Sequence, residues 1–250
     1  MIENNITIAI LAEYTANPSE LIELLDIKGL SMQQYITIGC ERIKIIGVSG
    51  LSIAPQLQTD QSSIQVINND IILCGVHLNS QIYSDHDERR KIHIEQIIND
   101  ILEVEKEMNT RNTVVVGDFN INPYDQSCVS ARYFHGLPIY EETKRNSRTI
   151  AGKDFYMFYN PMWNFLGDFK EPYGTYYHNA SDTVSTYWNI YDQVIIRPIL
   201  RPRFVADNLK ILHCTEHKSL LDNHKHPDYS ISDHLPIMFE IKENSYECYS

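Results

Sequence analysis

The chain has 250 residues, 43% of them hydrophobic, and a formal net charge of −12. That length suits one domain with a sizeable core. No apolar run reaches the roughly 18 residues of a bilayer-spanning helix, and the acidic balance argues against broad electrostatic clamping of long duplex DNA. Five cysteines, Cys40, Cys74, Cys128, Cys214 and Cys248, are scattered, with no C-x-x-C pair. This fits a reducing compartment and a cytoplasmic location. No basic segment precedes an apolar one at the N-terminus, so no signal peptide is expected.

The first apolar run, Ile6 to Ala12, reads as a strand and ends on Glu13. Asn17-Pro18-Ser19 turns the chain, and Asn17 or Ser19 is placed to cap a short helix through Leu25. Tyr35 to Gly39, Ile43 to Val48 and Ile64 to Ile67 read as further strands. Asn68-Asn69-Asp70 makes a hairpin turn into Ile71 to Val76, a run that ends on His77. The longest helix is expected from about Asp87 to Met108, because Ile94, Ile97, Ile98, Ile101 and Leu102 recur at helical spacing. It leads into the β-branched run Thr113 to Val116, so strand, helix and strand should form a crossover within one sheet.

Gly117-Asp118-Phe119-Asn120 follows that run. The glycine is expected to end the strand and let the backbone approach a ligand closely. Alternation puts Asp118 and Asn120 on one side of the chain and turns Phe119 toward the core. A carboxylate and a carboxamide at a strand's exit suit a hard cation, an activated water or a phosphoryl oxygen. Phe155 to Trp188 is aromatic and rich in turn residues, and reads as long loops with short strands. Tyr191-Asp192 opens the apolar run Val194 to Ile196. Ser232-Asp233-His234-Leu235-Pro236 opens Ile237 to Ile241, another expected strand. Each of these acids and histidines, taken singly, reads as a surface acid, a satisfied histidine or a turn cap. Five such strand ends together argue for an active site along one edge of a sheet scaffold.

Three other features carry two readings each. His213, Cys214, His217, His224 and His226 are zinc-ligand types at irregular spacing, and read better as a loop rimming the cleft. Arg89-Arg90-Lys91, Lys144-Arg145, Arg148, and Arg201 with Arg203 read as solvated faces, with phosphate contact as the sharper alternative. Trp163, Tyr176 and Trp188 read as core or loop anchors, with base stacking as the alternative.

The pieces Ala12-Glu13, Val76-His77-Leu78, Gly117-Asp118-Phe119-Asn120, Tyr191-Asp192 and Ser232-Asp233-His234-Leu235-Pro236 occur in an order that resembles the endonuclease/exonuclease/phosphatase superfamily, the group of DNase I and the abasic-site endonucleases. The resemblance spans most of the chain. It implies an α/β fold, a four-layer α/β/β/α sandwich of two packed mixed sheets with outer helices, in a single domain over residues 1–250. The family's usual strand ending in Trp-Asn, well upstream of the glutamate, has no counterpart here. Relative to the family the chain therefore looks N-terminally truncated, and the sandwich is expected to lack an outer strand.

The same resemblance implies Mg²⁺-dependent hydrolysis of phosphodiester bonds, with Mn²⁺ as the alternative ion. It assigns Glu13 as the principal metal ligand, with Asp233 near the same ion. Asp118 would orient or deprotonate the attacking water, and Asn120 would donate to a phosphate oxygen. His234 would hydrogen-bond the phosphate and shuttle a proton, with Asp192 fixing its tautomer. His77 would face the phosphate from the other side, its orienting carboxylate not identifiable in the sequence. Asn79 is a further phosphate contact. Nucleic acid, DNA or RNA, cut internally or from an end, is the first substrate. A small or lipid-linked phosphate is the alternative, for which Tyr159 to Phe169 is the one candidate apolar loop. A non-catalytic interaction domain is a third reading. Oligomeric state is left open.

Overall fold

A computed structural model describes residues 1–80, 86–179 and 185–244, with backbone alone at 86 and 87; Cys248 lies outside the described residues. In chain order the elements are β1 (Ile8–Ala12), α1 (Pro18–Ile27), β2 (Met32–Tyr35), β3 (Ile43–Val48), β4 (Ile53–Gln58), β5 (Ser62–Ile67), β6 (Ile71–His77), α2 (His86–Glu107) and β7 (Thr113–Asp118). The second half holds β8 (Gly136–Leu137), β9 (Ser147–Ile150), β10 (Lys153–Tyr156), β11 (Phe158–Tyr159), β12 (Tyr176–Tyr177), β13 (Trp188–Asn189), β14 (Asp192–Ile196), β15 (Lys210–Ile211) and β16 (Ile237–Met238), with short helical turns between them.

The larger sheet has seven strands in the order β4-β5-β6-β7-β14-β11-β8. β6 and β7 run parallel, as the α2 crossover requires. β11 and β8 are also parallel, and the other neighbours are antiparallel, so this sheet is mixed. The smaller sheet, β1-β3-β2, is antiparallel throughout. Its β2–β3 link, residues 36–42, is too short for the crossover of a dozen or so residues that a parallel pair needs.

Side-chain alternation on the large sheet builds the layers. Ile72, Cys74, Val76 and Val115 face α2 and pack against its Ile94, Ile97, Ile101 and Val104. Leu73, Val114, Val116, Val194 and Ile196 face the opposite way, toward Ile8 and Ile10 of β1 and toward Ile237, Phe239 and Ile241. Gly75 brings the sheets close: a Cβ there would meet Ile10 and Ile43 at 3.4 and 3.5 Å. On the outside, Leu25 of α1 packs with Met32 and Ile46. The order α2, large sheet, small sheet, α1 is an α/β/β/α sandwich. Each fully buried isoleucine stabilises it by about 1.5–3 kcal/mol relative to exposure.

Three strands differ from expectation. The strand read at Tyr35 to Gly39 lies at Met32–Tyr35. Pairing with β3 sets Met32 against Val48 and Tyr35 against Ile45, and the Tyr35 hydroxyl donates to the Leu51 carbonyl at 2.7 Å. Ile36 and Ile38, which carried the alternation, are left 57% and 81% exposed. β4 was hidden by Pro55, which is tolerated because β4 is the sheet's edge and its ladder is irregular just after Pro55. The run Ile237 to Ile241 keeps only two residues as a strand. Beyond them Val205 N–H bonds the Glu240 carbonyl, and Phe204 bridges Ile241.

Candidate active site

The alternation that points Leu73 and Val116 toward the small sheet carries on to the strand ends. It places His77 on β6, Asp118 on β7 and Asp192 on β14 on that same face. His77 is the register partner of Asp118, and Asp118 is the register partner of Asp192. Three ionisable side chains thus form one row across three adjacent strands. Facing residues have Cβ atoms about 4.5–5.5 Å apart, where like charges destabilise. Asp118 shows the cost: burial first, then the Asp192 charge, raise its pKa well above the usual carboxylate value, opposed by His234 and by the Asn120 N–H.

Glu13 reaches this row from the other sheet. It follows β1 in a left-handed conformation (φ 53°), with its N–H on the Arg42 carbonyl at 3.1 Å. Its Oε1 lies 3.3 Å from His77 Nε2, which is 3.7 Å from Asp118 Oδ2. Both carboxylates lie at Nε2, Glu13 the nearer, while the buried Nδ1 has no hydrogen-bond partner among the described residues, so no orienting carboxylate is found there. The Glu13 side chain is 77% exposed, so its charge stays open to solvent. Burial lowers the His77 pKa, against the pull of Glu13.

Gly117 does not end its strand. It has φ 144°, and a Cβ there would fall 2.0 Å from the Val76 carbonyl. The close approach it permits is therefore to the neighbouring strand and not, as expected, to a ligand. Phe119 is fully buried. Asn120 turns left-handed (φ 49°), and its N–H donates to Asp118 Oδ1 at 2.8 Å. Its Nδ2 donates to Asp118 Oδ2 and to the Leu78 carbonyl, both at 2.8 Å. In this conformation both amide hydrogens are engaged within the protein, and Asn120 holds Asp118. Arg90, read as part of a solvated basic face, is buried and donates to the carbonyls of Asn120 at 3.2 Å and Asn79 at 3.5 Å. Asn79 Oδ1 accepts from Gln61 Nε2 at 3.3 Å.

His234 completes the row from the segment that enters β16. Its Nδ1 is 2.8 Å from Asp192 Oδ2. Burial alone would lower its pKa, but the charge and hydrogen bond of Asp192 override this and lift it to about 9. The Tyr176 ring lies 4.8 Å from the His234 ring and stacks on Tyr191 at 5.3 Å. Asp233 is exposed and acts on His234 through its charge. Among the described residues, Glu3, Glu216 and His217 form the one group of three or more ligating side chains within 4.8 Å of one another, and all three are exposed. Glu13 and Asp233 are in no such closed cage.

The other candidates scatter. His226 stacks on Tyr177 at 3.5 Å, His224 lies 6.2 Å from His226, and His213 and Cys214 are exposed, so these residues form no zinc cage among the described residues. Trp188 stands edge-on to Tyr177 and Tyr173 at 5.4 and 6.1 Å. Two residues around the row escaped sequence reasoning, Arg90 as a structural clamp and Thr175, whose hydroxyl meets the start of β14. Neither carries a local signal in the sequence.

No protein-family model matches the chain, and no curated protein matches it in sequence. Solved structures do. An AP endonuclease from Archaeoglobus fulgidus matches over 97% of this chain and 91% of its own, with a TM-score of 0.51 and 13% identity. A humanised D. rerio TDP2 matches over 95% and 86%, with a TM-score of 0.50 and 15% identity. At these identities the likeness is one of fold.

Proposed function

We propose that this chain, which has the DNase I-like fold of the endonucleases, exonucleases and phosphatases, hydrolyses phosphodiester bonds with a divalent cation, Mg²⁺ before Mn²⁺, and that its substrate is nucleic acid. One observation carries the reading: the row His77, Asp118, Asp192, joined by Glu13 from one side and by His234 from the other. Two carboxylates in register have no use in packing and cost stability.

Glu13 and Asp233 would hold the ion, which when bound offsets negative charge on the phosphate and leaving oxygen. Asp118, desolvated and aligned by Asn120, takes a proton from the attacking water; its raised pKa suits a base working near neutral pH. His234, kept protonated by Asp192 up to about pH 9, donates to a phosphate oxygen and passes a proton toward the leaving group. His77 faces the phosphate from the Glu13 side, and Asn79 lies on the loop beyond it. The likeness to an AP endonuclease supports nucleic acid as substrate.

The lipid-phosphate alternative finds little support. In Tyr159 to Phe169, Phe169 is 99% exposed, but Tyr159, Met162 and Phe165 are buried. No helix among the described residues is long and apolar enough to cross a membrane. The free thiols Cys40, Cys74, Cys128 and Cys214 suit a reducing compartment, and we place the chain in the cytoplasm.

The test uses the purified chain with Mg²⁺ or Mn²⁺ on plasmid, single-stranded DNA, RNA and bis-p-nitrophenyl phosphate. Hydrolysis should stop on chelation and fall by about 10²–10⁴-fold in His234→Ala and in Asp118→Asn. Failure to cut any of the four, or unchanged rates in both variants, refutes the reading.

A further inference from the structure

We propose that Thr175 is the positioning residue that sets the Asp192–His234 pair, its hydroxyl fixing the backbone that carries Asp192 and its carbonyl fixing the backbone that carries His234. The inference rests on the hydrolytic reading of the cleft. Thr175 is fully buried just ahead of β12. Its Oγ1 accepts the N–H groups of Tyr191 and Asp192, each at 3.1 Å. Its own N–H donates to the Asn189 carbonyl at 2.8 Å, and its carbonyl accepts the Leu235 N–H at 2.7 Å. The residue before it, Gly174, lies so close to Asn189 that a Cβ would fall 2.5 Å from that carbonyl. The residue after it, Tyr176, forms a β-bridge with His234.

One side chain and one peptide unit therefore join two segments that are 42 residues apart at their catalytic members. A hydroxyl has two acceptor lone pairs, and the two N–H groups take both. No aliphatic side chain of the same shape can replace it without leaving two partly buried donors unpaired. The peptide between Tyr191 and Asp192 then keeps only the Phe119 N–H on its carbonyl, at 2.8 Å, and the peptide before it loses the bond its N–H made, so the Asp192 carboxylate is held less closely against His234. A displacement on the order of 1 Å at a reacting group costs about 100-fold in rate.

The experiment compares Thr175→Val, which keeps the shape and loses the acceptor, with Thr175→Ser, which keeps the acceptor and loses the methyl. Two quantities are read on the full chain. One is kcat and KM on bis-p-nitrophenyl phosphate with Mg²⁺. The other is the downfield imidazole N–H proton resonance of the His234–Asp192 bond, assigned by its loss in His234→Ala. Thr175→Val should keep the amide dispersion of a folded protein, lose or shift that resonance, and drop kcat about 100-fold with KM unchanged. Thr175→Ser should retain both the resonance and kcat. If Thr175→Val does not fold, Thr175→Cys, a weak acceptor, takes its place with the same readouts. An unmoved resonance and kcat in the folded variant overturn the proposal, as do equal losses in Thr175→Ser, which would assign the effect to packing. A wild-type chain that hydrolyses nothing while Thr175→Val still shifts the resonance sinks the hydrolytic reading and leaves the clamp standing.

Discussion

His135 is fully buried, away from the cleft, and its pKa lies below the ordinary 6.5, first because burial opposes the charged ring and then because Arg148 repels it. Just below pH 6.5 the unfolded chain therefore binds more protons than the folded one, so stability rises with pH through that window and falls on acidification. The urea midpoint should drop as the solution is acidified below 6.5, and drop less in His135→Leu; equal drops in both would remove His135 as the cause. At this scale the sequence disclosed the residues whose signals are local. Asp118 and Asn120 were legible because alternation fixes their side and a two-residue spacing lets one hold the other. The contact between Glu13 and His77 was not, because they belong to different sheets and nothing in either segment says which sheets will meet. Arg90 sat in a basic triplet that reads as surface, and only the turn of α2 reveals which of the three points inward.

The end of α2 is tied to the strands beside it by an ion pair and a hydrogen bond. Arg197, just after β14, places Nε 2.7 Å from Glu105 Oε1, both side chains about 3% exposed. Thr113 at the start of β7 donates to the same oxygen at 2.7 Å, and Arg197 also donates to the Met157 carbonyl at 3.2 Å. Arg197→Met should cost about 3–5 kcal/mol, because it leaves the Glu105 charge buried and unpaired. Adding Glu105→Met should recover most of that loss in urea unfolding; a double variant as unstable as the sum of the singles would show that the two do not act as a pair. Elements with strong periodicity were legible from sequence. β3 falls where its apolar run lies, and α2 is displaced by one residue at each end. β2 slid because register with β3 outweighs its own alternation, and β4 was missed because edge position forgives a proline.

For the whole molecule, a net charge of −12 limits how much of a polyanion can be neutralised. If one or two phosphates are gripped at the cleft, the logarithm of single-strand affinity should fall with the logarithm of salt at a slope of roughly −1, near 0.7 per phosphate. A slope several times steeper in a salt titration would mean a basic track along the strand. The four-layer sandwich was what the family resemblance implied, and burial accounts for it, since each apolar face must be covered by another layer.

The cleft is a seam. Glu13 comes from three strands, His77, Asp118 and Asp192 from seven, and the two halves are kept in step by apolar contact of Ile8, Ile10 and Ile43 with the large sheet and by Gln65 Nε2, which donates to the Ile36 carbonyl at 2.8 Å. A slip of one slab over the other would leave every ladder intact and every helix wound, yet draw Glu13 away from its histidine. Loss of turnover should then precede loss of secondary structure as the chain is gently warmed.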